Sequence, residues 1–259
     1  MRTIAILNLK GGVGKTVTAV NLAYILAAEY KQRVLLIDAD SQCNSTEFFG
    51  IEPDRGNLAQ LMTAPMDPAY AVGQIQRSRQ KGLDILAASM ELMDLDLTKL
   101  ENKAVRATAI SDLLAHLAET DQAYDTVLVD CPPAFNAATA SALLAAQEVI
   151  IPIKLDAFSL RGMANLVRQI QNMRKINPAL RVTGCLVTMY YKDQTIDEAL
   201  ATLQGSGLPV FATKIRRSKR VDGMSFAQQP LSVFSPRSAA GIDYRAFARE
   251  LIGGAQNGI

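Results

Sequence analysis

Apolar residues occur along this chain in short unbroken runs, and longer segments between them carry apolar positions every three to four residues. Unbroken apolar runs are typical of strands buried on both faces of a parallel sheet. Apolar positions that recur every three to four residues are typical of amphipathic helices. We predict strands at 3–7, 34–38, 83–87, 126–130, 149–153 and 182–188, with a short one near 210–213. We predict helices at 15–29, 57–63, 104–119, 137–145, 160–176, 196–203 and 241–251.

The alternation of these strands and helices predicts an α/β fold with a doubly wound, mostly parallel sheet flanked by helices. The 259 residues are 49% apolar, which suffices for a substantial core, and no repeat or change of composition marks a boundary. We therefore expect a single domain, 1–259. Because the first strand begins by residue 3, we expect no leader peptide and no N-terminal DNA-binding module, and a cytoplasmic protein. The three cysteines, widely spaced and without a C-x-x-C pair, fit a reducing compartment and are expected to be buried.

A glycine-rich loop follows the first predicted strand and comprises Lys10, Gly11, Gly12, Val13, Gly14, Lys15 and Thr16. It fits the phosphate-binding pattern G-x-x-x-x-G-K-[ST] in a shifted form, because Leu9 stands where the first glycine is usual and Lys10 adds a second lysine. Glycines let backbone N–H groups converge on phosphate oxygens, and the following helix adds the positive end of its dipole. We expect Lys15 to reach the β and γ phosphates and Thr16 to ligate Mg²⁺.

Acidic side chains follow two of the predicted strands, at the edge where such sheets bind ligands. Asp38 and Asp40 open a polar segment at 38–46, and Asp130 opens another at 130–133. Asp130 is suited to bind Mg²⁺ through water. If the second strand continues, Asp38 and Asp40 project to the same side, so that one supports the metal shell and the other positions an attacking water. The alternative is that these acids cap helices.

These motifs resemble the ParA family of chromosome and plasmid partition ATPases. That family lies within the deviant Walker A group of P-loop NTPases, which also holds MinD and the nitrogenase iron protein. The resemblance runs nearly end to end and rests on segments 10–16, 21–23, 38–46, 129–133 and 236–238. It implies an ATPase with ATP and Mg²⁺ as cofactors and a weak basal rate.

The resemblance also implies roles for individual residues. Lys10 is similar to the signature lysine that touches the partner subunit's nucleotide in an ATP-sandwich homodimer. Residues 10–16 and Val17 then bind ATP, with Lys10, Lys15 and Asp40 as catalytic residues. Thr16 is implied as the direct magnesium ligand, with Asp38 and Asp130 acting through water. An added cation near the transferred phosphoryl group stabilises transition-state charge.

A cluster of basic residues lies near residue 217, although the net charge of the chain is only +2. Such a cluster binds DNA phosphates without reading sequence, or is simply a solvated face. The resemblance favours nonspecific double-stranded DNA, held by the ATP dimer at the nucleoid and released when a ParB-like centromere-binding partner stimulates hydrolysis. The expected DNA-binding residues are Lys214, Arg216, Arg217, Lys219, Arg220 and Arg237.

The chain departs from the family pattern at three positions. Ser41 replaces the proline of Asp-Pro-Gln, Arg216 replaces the proline of Ile-Pro-Arg, and Gly223 stands where an acidic residue is usual. The first change removes a rigid residue from its loop. The others lie near the region expected to contact adenine and the partner.

Three other functions share parts of this pattern. A nucleotide-dependent regulator without a partition role would carry every motif, and stays open. A MinD-type membrane ATPase needs a C-terminal amphipathic helix with a basic face, which the tail at 253–259 does not supply, so we expect no membrane partner. An iron–sulfur ATPase needs two cluster cysteines, and Cys131 has no convincing second.

Overall fold

One sheet organises the chain in the computed structural model, which describes residues 1–97 and 105–256. Within those residues it has seven strands in the order β3-β4-β2-β5-β1-β6-β7. All neighbours are parallel except β3 and β4. The strands are β1 (Arg2–Ile6), β2 (Val34–Asp38), β3 (Ile75–Arg77), β4 (Leu83–Leu86), β5 (Thr126–Asp130), β6 (Glu148–Lys154) and β7 (Arg181–Thr188).

Helices cover both faces of the sheet, and this explains why its central strands are apolar throughout. Along β1, Ala5 packs into the core on one face, whereas Ile4 and Ile6 pack into the core on the other. The helices are α1 (Lys15–Ala28), α2 (Asn44–Phe48), α3 (Leu58–Thr63), α4 (Pro68–Gly73), α5 (Glu91–Leu97), α6 (Ala109–Ala118), α7 (Ala137–Ala145), α8 (Ala157–Arg174), α9 (Gln194–Gln204), α10 (Arg220–Ala227), α11 (Leu231–Phe234) and α12 (Ala239–Gln256).

The predicted α/β class and the six longer predicted strands are confirmed. The prediction of a strand at 210–213 is wrong, because only Val210 makes an isolated bridge, to Cys185 on β7. Edge strand β3 and the short helices α2, α4, α5, α10 and α11 were not predicted, since each is too short for its apolar spacing to stand out. The helix expected from 104 begins at Ala109, and residue 104 lies outside the described residues.

The carboxyl ends of three neighbouring strands meet beside the glycine-rich loop. In the sheet register Asp130 at the end of β5 is opposite Asp38 of β2 on one side and Ile6 of β1 on the other. β1 leads into the loop, and α1 leaves it at Lys15. The fold therefore brings the sequence-predicted loop and carboxylates to one place.

Candidate active site

The glycine-rich loop has the backbone shape of an anion cradle. Gly12 and Gly14 have φ angles of 70° and 87°, which side chains on L residues rarely allow. A Cβ atom added at Gly11 or Gly12 would meet no atom within 4 Å, so the backbone there faces open space. Within the described residues, no side chain caps the first turn of α1 at Gly14, and no acid lies in that turn. The N–H groups of the helix start are thus available to an anion.

Lys15 and Asp130 lie together beneath this cradle. Lys15 is 7% exposed and its Nζ donates to the carbonyl oxygen of Lys10 at 3.1 Å. Burial lowers the pKa of Lys15, and the charges of Asp130 and Asp40 oppose that shift. A buried ammonium without a complete set of acceptors is well placed to receive phosphate oxygens.

Asp130 retains one carboxylate oxygen without a partner. Its Oδ2 accepts the Ser45 hydroxyl at 2.7 Å, whereas Oδ1 is buried and has no hydrogen bond within the described chain. Burial raises the pKa of Asp130, and this is opposed by the hydroxyls of Ser45 and Thr16 and by the charge of Lys15. An orphaned buried oxygen is costly, and a hydrated cation beside Thr16 would satisfy it.

Asp38 holds the polar segment that follows β2. Its Oδ2 accepts both the backbone N–H and the hydroxyl of Thr46 at 2.8 Å, and its Oδ1 accepts the N–H of Asp40 at 3.1 Å. Burial, with the charge of Asp130, raises the pKa of Asp38. β2 ends at Asp38, so the extended strand that would align Asp38 and Asp40 does not form. Asp40 instead begins a turn in which its Oδ1 accepts the N–H of Gln42 at 3.0 Å.

Lys10 turns toward the end of β6. Its Nζ lies 2.7 Å from Oδ1 and 2.6 Å from Oδ2 of Asp156. Its backbone N–H donates to Oδ1 of Asn8, whose side chain donates to the Pro152 carbonyl. Sequence reasoning missed Asp156, although the rule that polar residues after strands are functional, applied to β6, would have found it.

Thr188 is a second residue that sequence reasoning missed. It ends β7, and its hydroxyl donates to the Val13 carbonyl at 2.8 Å, which ties the glycine-rich loop to that strand. Beside it lies a cavity of about 260 Å³ between the start of α1 and residues 215–222, with Val17, Met189 and Ile215 among its apolar lining. The loop therefore opens on one side to a pocket large enough for part of a planar ring system.

The predicted basic residues differ in what holds them. Arg216 makes a bidentate ion pair with Asp243, with Nη2 2.7 Å from Oδ1 and Nε 2.9 Å from Oδ2. The Lys214 ammonium lies 4.9 Å from the centroid of the Tyr190 ring. The other predicted DNA-binding residues are exposed: Arg217, Lys219, Arg220 and Arg237. Arg216 is 50% exposed and is held by this ion pair, whereas those four take part in no ion pair within the described residues.

The cysteines do not form a cluster site. All three are free and buried, as predicted: Cys43, Cys131 and Cys185. Burial raises the pKa of each thiol. Within residues 1–97 and 105–256, no group of three or more histidine, cysteine or acidic residues is arranged to hold a metal ion. Among the same residues, no helix has the length and apolarity needed to cross a bilayer.

Comparison with known proteins supports the motif-based resemblance. A family model described as AAA domain matches residues 1–182. The chain is 29% identical to cobyrinic acid a,c-diamide synthase of Mycobacterium smegmatis, solved with bound ADP and magnesium. The two structures superpose with a TM-score of 0.80, over 100% of this chain and 97% of that one.

Two chromosome-partitioning proteins match the chain along nearly its whole length. Chromosome partitioning protein ParA of Caulobacter vibrioides is 34% identical over 255 residues, which cover 97% of this chain and 94% of that protein. Chromosome-partitioning ATPase Soj of Thermus thermophilus is also 34% identical over 255 residues, with 97% and 96% covered. On identity of this extent, the chain belongs to the ParA family of partition ATPases.

Proposed function

We propose that this chain is a DNA partition ATPase that dimerises on binding Mg-ATP, holds nonspecific double-stranded DNA in that state and releases it on hydrolysis. The observation that carries the proposal is the buried, unpartnered Oδ1 of Asp130 beside Lys15 and the open glycine-rich cradle. An orphaned carboxylate oxygen next to an anion cradle fits a metal–phosphate ligand better than a structural role.

Triphosphate binding is assigned to the cradle itself. Backbone N–H groups of residues 11–16 and the start of α1 receive the phosphates, and Lys15 adds a positive charge from below. The cavity beside Thr188 lies next to Gly14 and Val17, and we assign it to the adenine base. Its apolar side chains suit a planar aromatic ring, and its lining also includes the charged residues Arg216, Arg217, Lys219 and Asp222.

The magnesium site is built from Thr16 and Asp130. Thr16 would supply the direct ligand, and Asp130 would hold the ion through water from its unpartnered oxygen. Asp38 is less suited than Asp130 to bind magnesium through water, because both of its carboxylate oxygens already accept hydrogen bonds that hold residues 40–46. Bound Mg²⁺ would neutralise charge that develops on the β and γ phosphates.

Hydrolysis is assigned to Asp40 and to Lys10 of the partner subunit. Asp40 is 8% exposed, follows β2 at the edge where the phosphates are expected, and its carboxylate can position the attacking water. Lys10, like an arginine finger supplied in trans, stabilises transition-state charge only after two subunits meet. A weak basal rate follows for the isolated subunit, whose Lys10 is held by Asp156.

DNA binding is assigned to four exposed basic residues that lie near α10 and just before α12 and that take part in no ion pair within the described residues, namely Arg217, Lys219, Arg220 and Arg237. A dimer brings two such sets to one duplex, and the linked contacts raise the affinity of the ATP state. A ParB-like centromere-binding protein is the proposed stimulator of hydrolysis, which would return the protein from the nucleoid to the cytoplasm.

The dependence of ATP turnover on protein concentration tests this function. We expect turnover per subunit to rise with concentration until dimers saturate, and Lys15→Ala to abolish it. Turnover per subunit that is independent of concentration would contradict a site completed in trans. Adding nonspecific DNA, which favours the dimer, is expected to increase turnover at low protein concentration. A regulator without a partition role would pass these tests, and is separated from a partition protein by capture of a centromere-binding partner.

A further inference from the structure

The hairpin of β3 and β4 lies away from the candidate active site. β3 is the edge strand of the sheet, and the turn at 78–82 lies at the amino-terminal end of β4. The active-site residues follow the opposite, carboxyl-terminal ends of β1, β2 and β5. The five-residue strand β2 alone separates the two edges by about 13 Å. The proposed ATP cycle does not account for this hairpin.

The hairpin turn is fixed against the loop that joins α1 to β2. The Val34 N–H donates to the Gly82 carbonyl at 2.7 Å. Gly82 has a φ of 85°, and a Cβ there would lie 3.1 Å from the Gln32 carbonyl oxygen, so the two loops are in close contact. Within the turn the Ser78 hydroxyl donates to the Leu83 carbonyl at 2.7 Å. The contact brings the side chains of both loops onto one surface.

This surface is strongly basic. We call it the hairpin basic surface, and it consists of five exposed residues: Lys31, Arg33, Arg77, Arg79 and Lys81. Four of them, all except Arg79, line a depression of about 760 Å³. Within the described part of the chain, the three that belong to the hairpin take part in no ion pair: Arg77, Arg79 and Lys81.

Nearby acids only partly offset these charges. Asp84 accepts the Tyr124 hydroxyl at 2.9 Å, and Asp125 accepts the Arg33 N–H at 2.8 Å. Asp121 lies close as well, since its carbonyl accepts from the Arg33 side chain. Five cations against three carboxylates leave an excess of two positive charges, as large as the net charge of the whole chain. The remaining residues of the chain therefore sum to a net charge close to zero.

We propose that the hairpin basic surface binds the phosphate backbone of double-stranded DNA, as a second and weaker contact surface that adds salt-sensitive contacts to those that ATP controls. Arg33 lies over the Tyr124 ring, 5.5 Å from its centroid, which holds a flat guanidinium at the rim. Lysine and arginine side chains on a fixed hairpin suit phosphates and carry no means of reading bases. The choice of DNA among polyanions rests on the proposed function.

An anionic membrane suits this surface less well. Membrane-bound surfaces of this kind combine cations with apolar side chains that enter the lipid. Among residues 29–33 and 78–82, Tyr30 is the exposed large hydrophobic residue, at 38%, and no aliphatic side chain accompanies it. Charge alone is thus the main interaction that the surface offers.

A triple variant tests the proposal: Arg77→Ala, Arg79→Ala and Lys81→Ala. We expect the plot of log affinity against log salt, for a random-sequence duplex, to become shallower by about 2 to 3 in slope. The change is expected with ATP, and also without nucleotide at low ionic strength. The matched control removes three exposed cations from α8 and the residue that follows it, as Arg168→Ala, Arg174→Ala and Lys175→Ala, and is expected to retain the wild-type slope. Circular dichroism and the unfolding midpoint verify that both variants fold.

Three results would overturn the proposal. The first is an unchanged salt slope in the hairpin variant, and the second is an equal change of slope in the control variant. The third is binding of the wild type to vesicles of anionic lipid at low ionic strength together with no binding to the duplex. A failure of the proposed function gives a different result, namely that the affinity of the wild-type protein for DNA does not change when ATP is added.

Discussion

Lys10 and Asp156 form a two-point ion pair within one subunit, with Nζ 2.7 Å from Oδ1 and 2.6 Å from Oδ2. Lys10 follows β1 and Asp156 follows β6, and these strands are neighbours in the sheet. The two side chains are 35% and 29% exposed. Ion pairs in such surroundings contribute about 0–1 kcal/mol. A triphosphate on a partner subunit can therefore compete with Asp156 for the Lys10 ammonium.

Separate substitutions of these two residues are expected to have unequal effects. Lys10→Ala removes the charge proposed to act in trans, and we expect turnover to fall about 10²-fold or more. Asp156→Asn removes the competing negative charge, so we expect turnover to change less than about fivefold, as 1 kcal/mol allows. Steady-state ATP hydrolysis at saturating protein measures both. Equal losses in the two variants would show that the ion pair, and not Lys10 itself, is needed.

Asp130→Asn is expected to stabilise the nucleotide-free protein while abolishing magnesium-dependent hydrolysis. The raised pKa means that the folded chain holds this proton more tightly than the unfolded chain. Protonation of Asp130 therefore stabilises the folded chain fully at pH values below the ordinary pKa of 3.8. This stabilisation is lost as the pH rises through the pKa that Asp130 has in the folded chain. The neutral amide removes the buried charge, so we expect the free energy of unfolding at pH 8 to rise by about 1–2 kcal/mol.

Denaturant unfolding at several pH values checks the Asp130 prediction. The gain from Asp130→Asn is expected to shrink as the pH falls, because the wild-type carboxyl becomes protonated in the folded chain. A variant less stable than the wild type at pH 8 would mean that the charge of Asp130 is already compensated. Retention of magnesium-dependent turnover would remove Asp130 from the metal site.

Asp40→Asn separates catalysis from binding. The amide oxygen still accepts the Gln42 N–H, which the carboxylate now accepts at 3.0 Å, so the turn after β2 is expected to remain. We expect turnover to fall about 10²- to 10⁴-fold while ATP affinity changes little, so that the protein stays on DNA. Asp54→Asn, at an exposed acid in the segment between α2 and α3, is the control. Normal hydrolysis by the Asp40 variant would assign water activation to another group.

Thr46→Val tests whether Asp38 acts by holding the segment 40–46. The substitution removes the hydroxyl that donates to Asp38 at 2.8 Å and accepts from the Ala88 N–H at 2.9 Å. We expect a loss of about 1–3 kcal/mol in the free energy of unfolding, because two buried groups lose a partner. Thr202→Val removes an exposed hydroxyl bond to the Glu198 carbonyl and should cost less than about 0.5 kcal/mol. Similar losses of unfolding free energy in the two variants would show that the Thr46 hydroxyl is not needed to hold Asp38 and the segment 40–46.

Much of the fold and of the loop was predictable from the sequence because the signals there are local. The phosphate-binding loop is one continuous segment, and the buried strands are apolar throughout, so residues 10–16 and β5 were recognised directly. The roles of Ser45, Thr188 and Asp156 were missed because each depends on a contact between segments distant in the chain. DNA binding was predicted for Arg216 because its neighbours in the sequence are basic. Its ion-pair partner Asp243 lies in α12, and this contact can be recognised only from the structure.

The central claim is that ATP switches the affinity of this protein for DNA. The most direct test measures binding to a random-sequence duplex with ATP, with ADP and without nucleotide, each at low and at physiological salt. The account predicts affinity with ATP at least about tenfold tighter than in the other two states at physiological salt, and a steep loss as salt rises. Equal affinity in all three states, or no binding in any, would contradict it.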